Sequence, residues 1–209
     1  MKNQATRIIL YPVHQISHKR FRKFTVFGTM NMNLRTEILS EHSKRQCSKI
    51  IAYVGNSQSR FDKLIQLVLG NDQLIAQRAA WPLSYCVIAH PFLINKHVKS
   101  VVQHLKKPGL HPAVKRNAVR FLQFTDLPDY IHGDIMNICF QYIEDPKEAV
   151  AIKAFSLSIL GRLAHQYPDI IPEISLLIEE QLPFQTAAFT SRAKSVLKKI
   201  KHQNSHPPT

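Results

Sequence analysis

Four short blocks of this sequence resemble one another and recur 36 to 39 residues apart. Each block is centred on an alanine that follows a basic or amide residue, and each has a bulky apolar residue four positions before that alanine. The centres are Ala79, Ala118, Ala154 and Ala193. A fixed period of this size predicts a repeat array, in which each unit buries its apolar face only by stacking on its neighbours.

Apolar residues after residue 32 recur at the spacing of a helix face, and no segment alternates as a half-buried strand does. Glycine, proline and short polar turns separate the apolar segments, which makes successive helices antiparallel neighbours. The sequence therefore predicts an all-α fold of about four antiparallel helix pairs and a C-terminal helix. The predicted helices are 33–54, 57–69, 72–89, 91–107, 112–124, 129–143, 146–166, 168–182 and 185–202.

The two ends differ from this repeat domain, which we place at residues 33–203. Residues 1–32 have six basic side chains, no acidic one and no helical stripe, so we expect a disordered extension. Its composition is similar to that of an organellar transit peptide, and a start at Met30 or Met32 would remove it from the mature protein; the sequence leaves both open. Residues 204–209 form a polar tail that we also expect to be disordered.

Hydropathy and the positions of the cysteines limit the cellular locations that fit this protein. No apolar run approaches the roughly 20 residues of a transmembrane helix, so we expect no membrane insertion. The three cysteines, Cys47, Cys86 and Cys139, are far apart and lie in apolar helical stretches, which predicts buried free thiols. A reducing, cytoplasmic location fits this pattern.

The stretch from Tyr167 to Ile200 resembles HEAT repeats, which are armadillo-like α-solenoids. Residues 168–174 look like the start of the second helix of a HEAT unit, and Phe189, Ala193 and Val196 like the next first helix. The resemblance covers about residues 33–202. It implies a right-handed α-solenoid, a curved scaffold whose second helices line a concave surface that holds a protein or nucleic acid. It implies no reaction.

The net charge of +14 is distributed unevenly along the repeats. Residues 33–120 have 14 basic and 4 acidic side chains, whereas residues 121–191 have 3 basic and 10 acidic ones. A polyanion would therefore prefer the first half of the array. The candidate polyanion-binding residues are Lys96, Lys99, Lys106, Lys107, Lys115, Arg116 and Arg120.

Other candidate sites have simpler structural explanations. His90, His97, His104 and His111 recur every seven residues, but zinc sites use closer spacings with cysteine or carboxylate partners, so we expect solvated surface histidines. No nucleophile elbow and no glycine-rich phosphate loop is present, and we assign no catalytic, cofactor or metal residue. Trp81, the only tryptophan, is expected in the core.

The sequence thus favours a non-enzymatic scaffold that binds a protein partner through its concave surface. The alternative is a nucleic-acid-binding solenoid that uses the basic cluster. A third hypothesis is DNA glycosylase chemistry, which occurs on some HEAT-like solenoids but needs an aromatic and carboxylate cluster that we cannot assign here. The sequence identifies neither the partner nor the oligomeric state.

Overall fold

A computed structural model describes residues 32–204, with side chains to residue 200. Disorder was predicted for residues 1–32 and 204–209. These residues lie outside the described part of the chain except for Met32 and Asn204, and Asn204 is the last residue of a helix, contrary to the prediction. Within residues 32–204 the chain forms ten α-helices and no strand. They are α1 (Leu34–Ser40), α2 (Lys44–Val54), α3 (Gln58–Leu69), α4 (Gln73–Ala89), α5 (Val98–Leu105), α6 (Pro112–Leu122), α7 (His132–Glu144), α8 (Val150–Leu163), α9 (Ile171–Gln181) and α10 (Ala187–Asn204).

Nine of the ten helices form two layers, and α1 packs against α2, α3 and α4 at the start of the array. The first layer is α2, α4, α6, α8 and α10, in which each helix packs on the next along the chain. The second layer is α3, α5, α7 and α9, each of which follows a first-layer helix. This arrangement confirms the predicted all-α solenoid of four helix pairs and a C-terminal helix.

Three of the four second-layer helices begin with a tighter 3₁₀ segment. These segments are Pro91–His97 before α5, Asp129–Ile131 before α7 and Pro168–Ile170 before α9. Pro91 and Pro168 stand at the first position, where a helix has no hydrogen-bonding use for the missing N–H. The second helices therefore start where the sequence predicted them, but with a 3₁₀ turn.

The longest predicted helix, residues 33–54, is two helices in the structure. The chain becomes extended at Glu41, and Ser43 begins α2 by accepting a hydrogen bond from the Gln46 backbone N–H. The Gln46 side chain donates to the Glu37 backbone oxygen at 2.7 Å, which satisfies a carbonyl group at the end of α1. The prediction of one helix was therefore wrong. No glycine or proline marks the break in the sequence.

Small residues set the close packing of the first layer. Ala79, Ala118 and Ala193 are buried. In α8 the buried small residue is Ser156, whereas Ala154 is only partly buried. The third block therefore lies two residues out of the predicted correspondence. Small side chains at these contacts let neighbouring helices approach closely.

Gly161 shows how close that approach is. A Cβ atom added at Gly161 would lie 2.6 Å from Val196 Cγ1, so α8 and α10 meet there without room for a methyl group. Gly55 has a different role, since its φ of 50° ends α2 in a conformation that favours glycine.

The buried residues form one apolar cluster that runs from α1 to α10. Pro82 lies inside α4 and is buried. Within the described residues, no helix combines the length and the apolarity that crossing a membrane requires.

Candidate interaction surfaces

The seven basic residues singled out from the sequence divide between the two layers. Lys96 and Lys99 lie in the segment that ends with α5, and Lys106 and Lys107 follow directly after it. Lys115, Arg116 and Arg120 lie on α6, in the first layer. The seven residues thus belong to elements of both layers.

Carboxylates hold three of the seven basic groups in ion pairs. Lys96 Nζ lies 2.6 Å from Asp62 Oδ2, Lys106 Nζ lies 2.7 Å from Asp134 Oδ1, and Lys115 Nζ lies 2.7 Å from Glu148 Oε2. Each pair joins two different helical units. A phosphate group would have to displace these carboxylates, so the three lysines are poorer anion sites than their number suggests. Polyanion binding by the seven residues as a set stays a prediction.

Hydrogen bonds from their partners lower the pKa of two of these carboxylates, Asp62 and Asp134. Burial opposes ionisation of Asp62, but hydrogen bonds from Lys96, Gln58 and His97 lower its pKa. For Asp134 the hydrogen bond from Lys106 is the main cause of a lowered pKa. Both carboxylates are ionised at neutral pH and neutralise part of the charge on the second layer.

The four regularly spaced histidines are not all solvated, contrary to the sequence expectation. His104 is buried, and burial, followed by the nearby charge of Lys107, lowers its pKa. His97 Nε2 lies 2.6 Å from Asp62 Oδ1, and the His97 side chain is largely buried. The four histidines lie on different elements, since His90 follows α4, His97 ends a 3₁₀ segment, His104 is on α5 and His111 precedes α6, so the seven-residue spacing does not place them on one face. Among residues 32–204, no group of three or more histidine, cysteine, aspartate or glutamate side chains is placed to hold a metal ion.

All three cysteines are free and buried, which confirms that prediction. Burial raises the pKa of each thiol to about 12. A thiol with such a pKa is almost entirely protonated at neutral pH and is a poor nucleophile. The cysteines therefore act as apolar core residues.

The first-layer helices contain no acidic residue. None of the 14 aspartates and glutamates of the chain lies on α2, α4, α6, α8 or α10, whereas these five helices hold 14 lysines and arginines. Burial alone does not explain this, because it disfavours both signs of charge. Helix dipoles do not explain it either, since they favour acidic residues in the first turn, and α2 begins with Lys44 and Arg45.

Two of these basic side chains donate to backbone oxygens at the C-terminal ends of other helices, α1 and α6. Arg78 Nη1 donates to the Leu39 backbone oxygen at 2.9 Å, and Arg162 Nη1 donates to the Gln123 backbone oxygen at 3.0 Å. Helix C-terminal ends carry unpaired carbonyl groups and partial negative charge, so they are good sites for guanidinium groups. In these two contacts the guanidinium groups of Arg78 and Arg162 are held by backbone carbonyl groups.

Aromatic rings lie beside these arginines on α4. The guanidinium carbon of Arg120 lies 4.4 Å from the centroid of the Tyr85 ring, which is a cation–π geometry. Trp81 is partly buried, and its ring makes an edge contact with His42 at 5.6 Å between centroids. The sequence predicted Trp81 in the core. In the structure it is only partly buried and lies near His42.

The sequence contains this difference in charge between the two layers, but a count of charges along the chain does not reveal it. Dividing the chain into halves gives a basic and an acidic half, whereas dividing it by alternate helices gives an acid-free layer. Arg116 and Arg120 were identified from the sequence. Arg78, Arg162 and Arg192 were missed as surface residues because they stand far apart in the sequence.

Comparison with known proteins agrees with the architecture. The family model described as a HEAT repeat domain matches residues 34–200. Comparisons with curated proteins and with solved structures gave no match. HEAT-repeat proteins are generally non-enzymatic scaffolds that often mediate protein interactions. The match extends over most of the chain and over every helix pair, and the chain belongs to the HEAT-repeat family.

Proposed function

We propose that this protein is a non-enzymatic cytoplasmic scaffold that binds a protein partner through the exposed face of its second-layer helices. This is the face that the family resemblance implies to be concave. The observation that carries the proposal is a set of large apolar side chains left in solvent, one in each of three successive units. Phe92 is 54 % exposed, Tyr130 is 68 % exposed and Leu176 is 56 % exposed.

Two of these side chains occupy the same place in their units. Phe92 and Tyr130 are each the second residue of the 3₁₀ segment that begins a second helix. Burying a large apolar side chain contributes about 1.5–3 kcal/mol, and leaving two of them exposed at equivalent positions forgoes that stabilisation twice. A protein partner that covers both would recover it, because aromatic residues are enriched at the centres of protein interfaces.

The surroundings of the two aromatic residues suit the rim of a protein interface. Lys99 Nζ lies 6.0 Å from the centroid of the Tyr130 ring, and the acidic side chain of Asp129 is exposed beside it. The second layer thus presents apolar groups among charges of both signs. Protein interfaces combine an apolar centre with a polar rim in this way.

Site-specific crosslinking tests the proposal. A photoreactive amino acid is placed at position 92, 130 or 124 of the full chain in cells that naturally express it. Phe124 is the matched control, because it is 53 % exposed but lies in the turn after α6, outside the second-layer helices and their 3₁₀ segments. We expect the same protein to be crosslinked from positions 92 and 130 and not from position 124.

Purified partner then provides the quantitative measurement. The double variant Phe92→Ala with Tyr130→Ala is expected to bind the crosslinked partner about tenfold or more weakly, since truncation of central aromatic residues commonly costs 1–2 kcal/mol or more. Phe124→Ala is expected to bind like the wild type. Equal crosslinking from all three positions, or equal loss of affinity in both variants, would contradict a partner site on the second layer.

A further inference from the structure

The acid-free first layer carries a row of basic side chains that crosses four successive helices. We define the basic row as Arg78 on α4, Arg116 and Arg120 on α6, Arg162 on α8, and Arg192 and Lys199 on α10. Each helix thus contributes at least one positive charge. Neighbouring helix axes in a packed layer are about 8–10 Å apart, so these charges lie on adjacent helices of one layer.

The basic row faces away from the core. Arg116, Arg192 and Lys199 are exposed, and Arg78, Arg120 and Arg162 are partly exposed. Arg116 and Arg192 have no ion pair with a carboxylate among the described residues. The acidic residues that flank these helices in the sequence lie in turns, such as Asp72, which pairs with Arg35, and Asp126.

Charge and apolar exposure together indicate the class of partner. A protein interface needs an apolar centre, yet among the described residues only Leu74, at the start of α4, and Phe124, in the turn after α6, are exposed large hydrophobic residues on or next to the first-layer helices. Surfaces that bind nucleic acid are more polar and far more positive, and they draw affinity from contacts with phosphates. We propose that the basic row binds the phosphate backbone of a nucleic acid, independently of base sequence.

This site differs from the proposed protein site. The basic row lies on the first layer, whereas Phe92 and Tyr130 lie on the second. Loss of one site does not entail loss of the other. The row also shares only Arg116 and Arg120 with the basic cluster identified from the sequence.

Two double charge reversals in the purified full chain test the proposal. The first variant is Arg116→Glu with Arg192→Glu, in the basic row. The matched control is Lys99→Glu with Lys107→Glu, which changes the net charge equally but on the second-layer side. All four side chains are exposed, so both variants are expected to fold, and thermal unfolding confirms this. The basic residues among positions 1–32 contribute equally to every variant.

Binding is measured by fluorescence anisotropy with a labelled duplex DNA and a labelled single-stranded RNA of equal length. We expect wild-type affinity to fall steeply between roughly 50 and 200 mM salt. The row variant is expected to bind about tenfold or more weakly in low salt. Its slope of log affinity against log salt is expected to be shallower by about 2, because two phosphate contacts are lost. The control is expected to change affinity by less than about threefold.

The two probes and one competitor show which class of polyanion the basic row binds. Equal binding of both probes indicates contacts with phosphate alone, and a preference for one identifies the form of nucleic acid. Polyglutamate of equal total charge is expected to compete poorly. Effective competition by polyglutamate would instead indicate an acidic protein and overturn the proposal. So would wild-type affinity in the row variant, or equal losses in the row variant and the control.

Discussion

The two layers of this array share one apolar core but differ in the distribution and pairing of their charged residues. The first layer places 14 basic and no acidic residues on its helices. The second layer pairs opposite charges across neighbouring units, as Lys96 with Asp62 and Lys106 with Asp134. Stacking of repeats demands apolar contacts but places no such demand on surface charge. Apolar stacking alone therefore does not account for the difference in charge between the layers.

The shared core gives the comparison its largest test. Phe121 on first-layer α6 and Phe61 on second-layer α3 are both almost fully buried. If the layers differ only at their surfaces, Phe121→Ala and Phe61→Ala should each lower the free energy of unfolding by about 3–5 kcal/mol. Urea denaturation at neutral pH measures both values. A cost at Phe61 below half of that at Phe121 would show that the first layer carries most of the stability.

Much of this core was predictable from the sequence, and the reason is local. Helix boundaries after Val54 and Leu69 follow from Gly55 and Gly70, and those before α6 and α9 from Pro112 and Pro168. Each signal acts through the backbone of one or two residues. The break between α1 and α2 escaped prediction because it depends on the Gln46 side chain reaching back to Glu37, a contact that helix propensity does not encode.

The surfaces were less predictable than the core. The ion pairs of Lys96, Lys106 and Lys115 join residues 28 to 34 positions apart. Which lysine is neutralised depends on the stacking of units, so a count of charges along the chain treats paired Lys96 and unpaired Arg116 alike. The repeat predicts that the helices stack, but the side-chain contacts between units decide which charges remain available.

The two layers also differ in how closely their glycines approach a neighbour. Gly161→Ala on α8 is expected to lower the free energy of unfolding by about 1–3 kcal/mol, because the new methyl group overlaps the stiff Val196 side chain. Gly133→Ala on α7 meets no atom within 4 Å and is expected to stabilise by up to about 1 kcal/mol, since alanine favours a helix.

A double variant identifies the cause of the loss at Gly161. In the background of Val196→Ala, the substitution Gly161→Ala should cost clearly less than it does alone, because the overlapping methyl groups are gone. Denaturation of the four proteins in the cycle gives the coupling energy. Additive losses would mean that the backbone of Gly161, rather than the approach of α10, requires glycine.

Acidification tests the buried histidine of the second layer. Burial and Lys107 lower the pKa of His104 in the folded state, whereas in the unfolded chain it is near 6.5. The unfolded state then binds more protons as the pH falls below about 6.5, so the free energy of unfolding should decrease over that range. His104→Gln should show a smaller decrease between neutral and mildly acidic pH in the same denaturation measurement. An unchanged pH dependence would contradict a neutral, buried His104.

The smallest expected effect is the coupling energy of single side-chain contacts between units, which are of a different kind in each layer. Lys96 with Asp62 is an ion pair in the second layer, and Arg120 with Tyr85 is a cation–π contact in the first. Double-mutant cycles with Lys96→Met and Asp62→Asn, and with Arg120→Met and Tyr85→Leu, should each give about 0.2–1 kcal/mol of coupling. The first coupling should weaken as salt is raised, because the exposed charges are screened, whereas the second should change less, since a neutral ring is one partner. Equal salt sensitivity would mean that Arg120 acts mainly through full charges elsewhere, and the first layer would then resemble the second in how its units are joined.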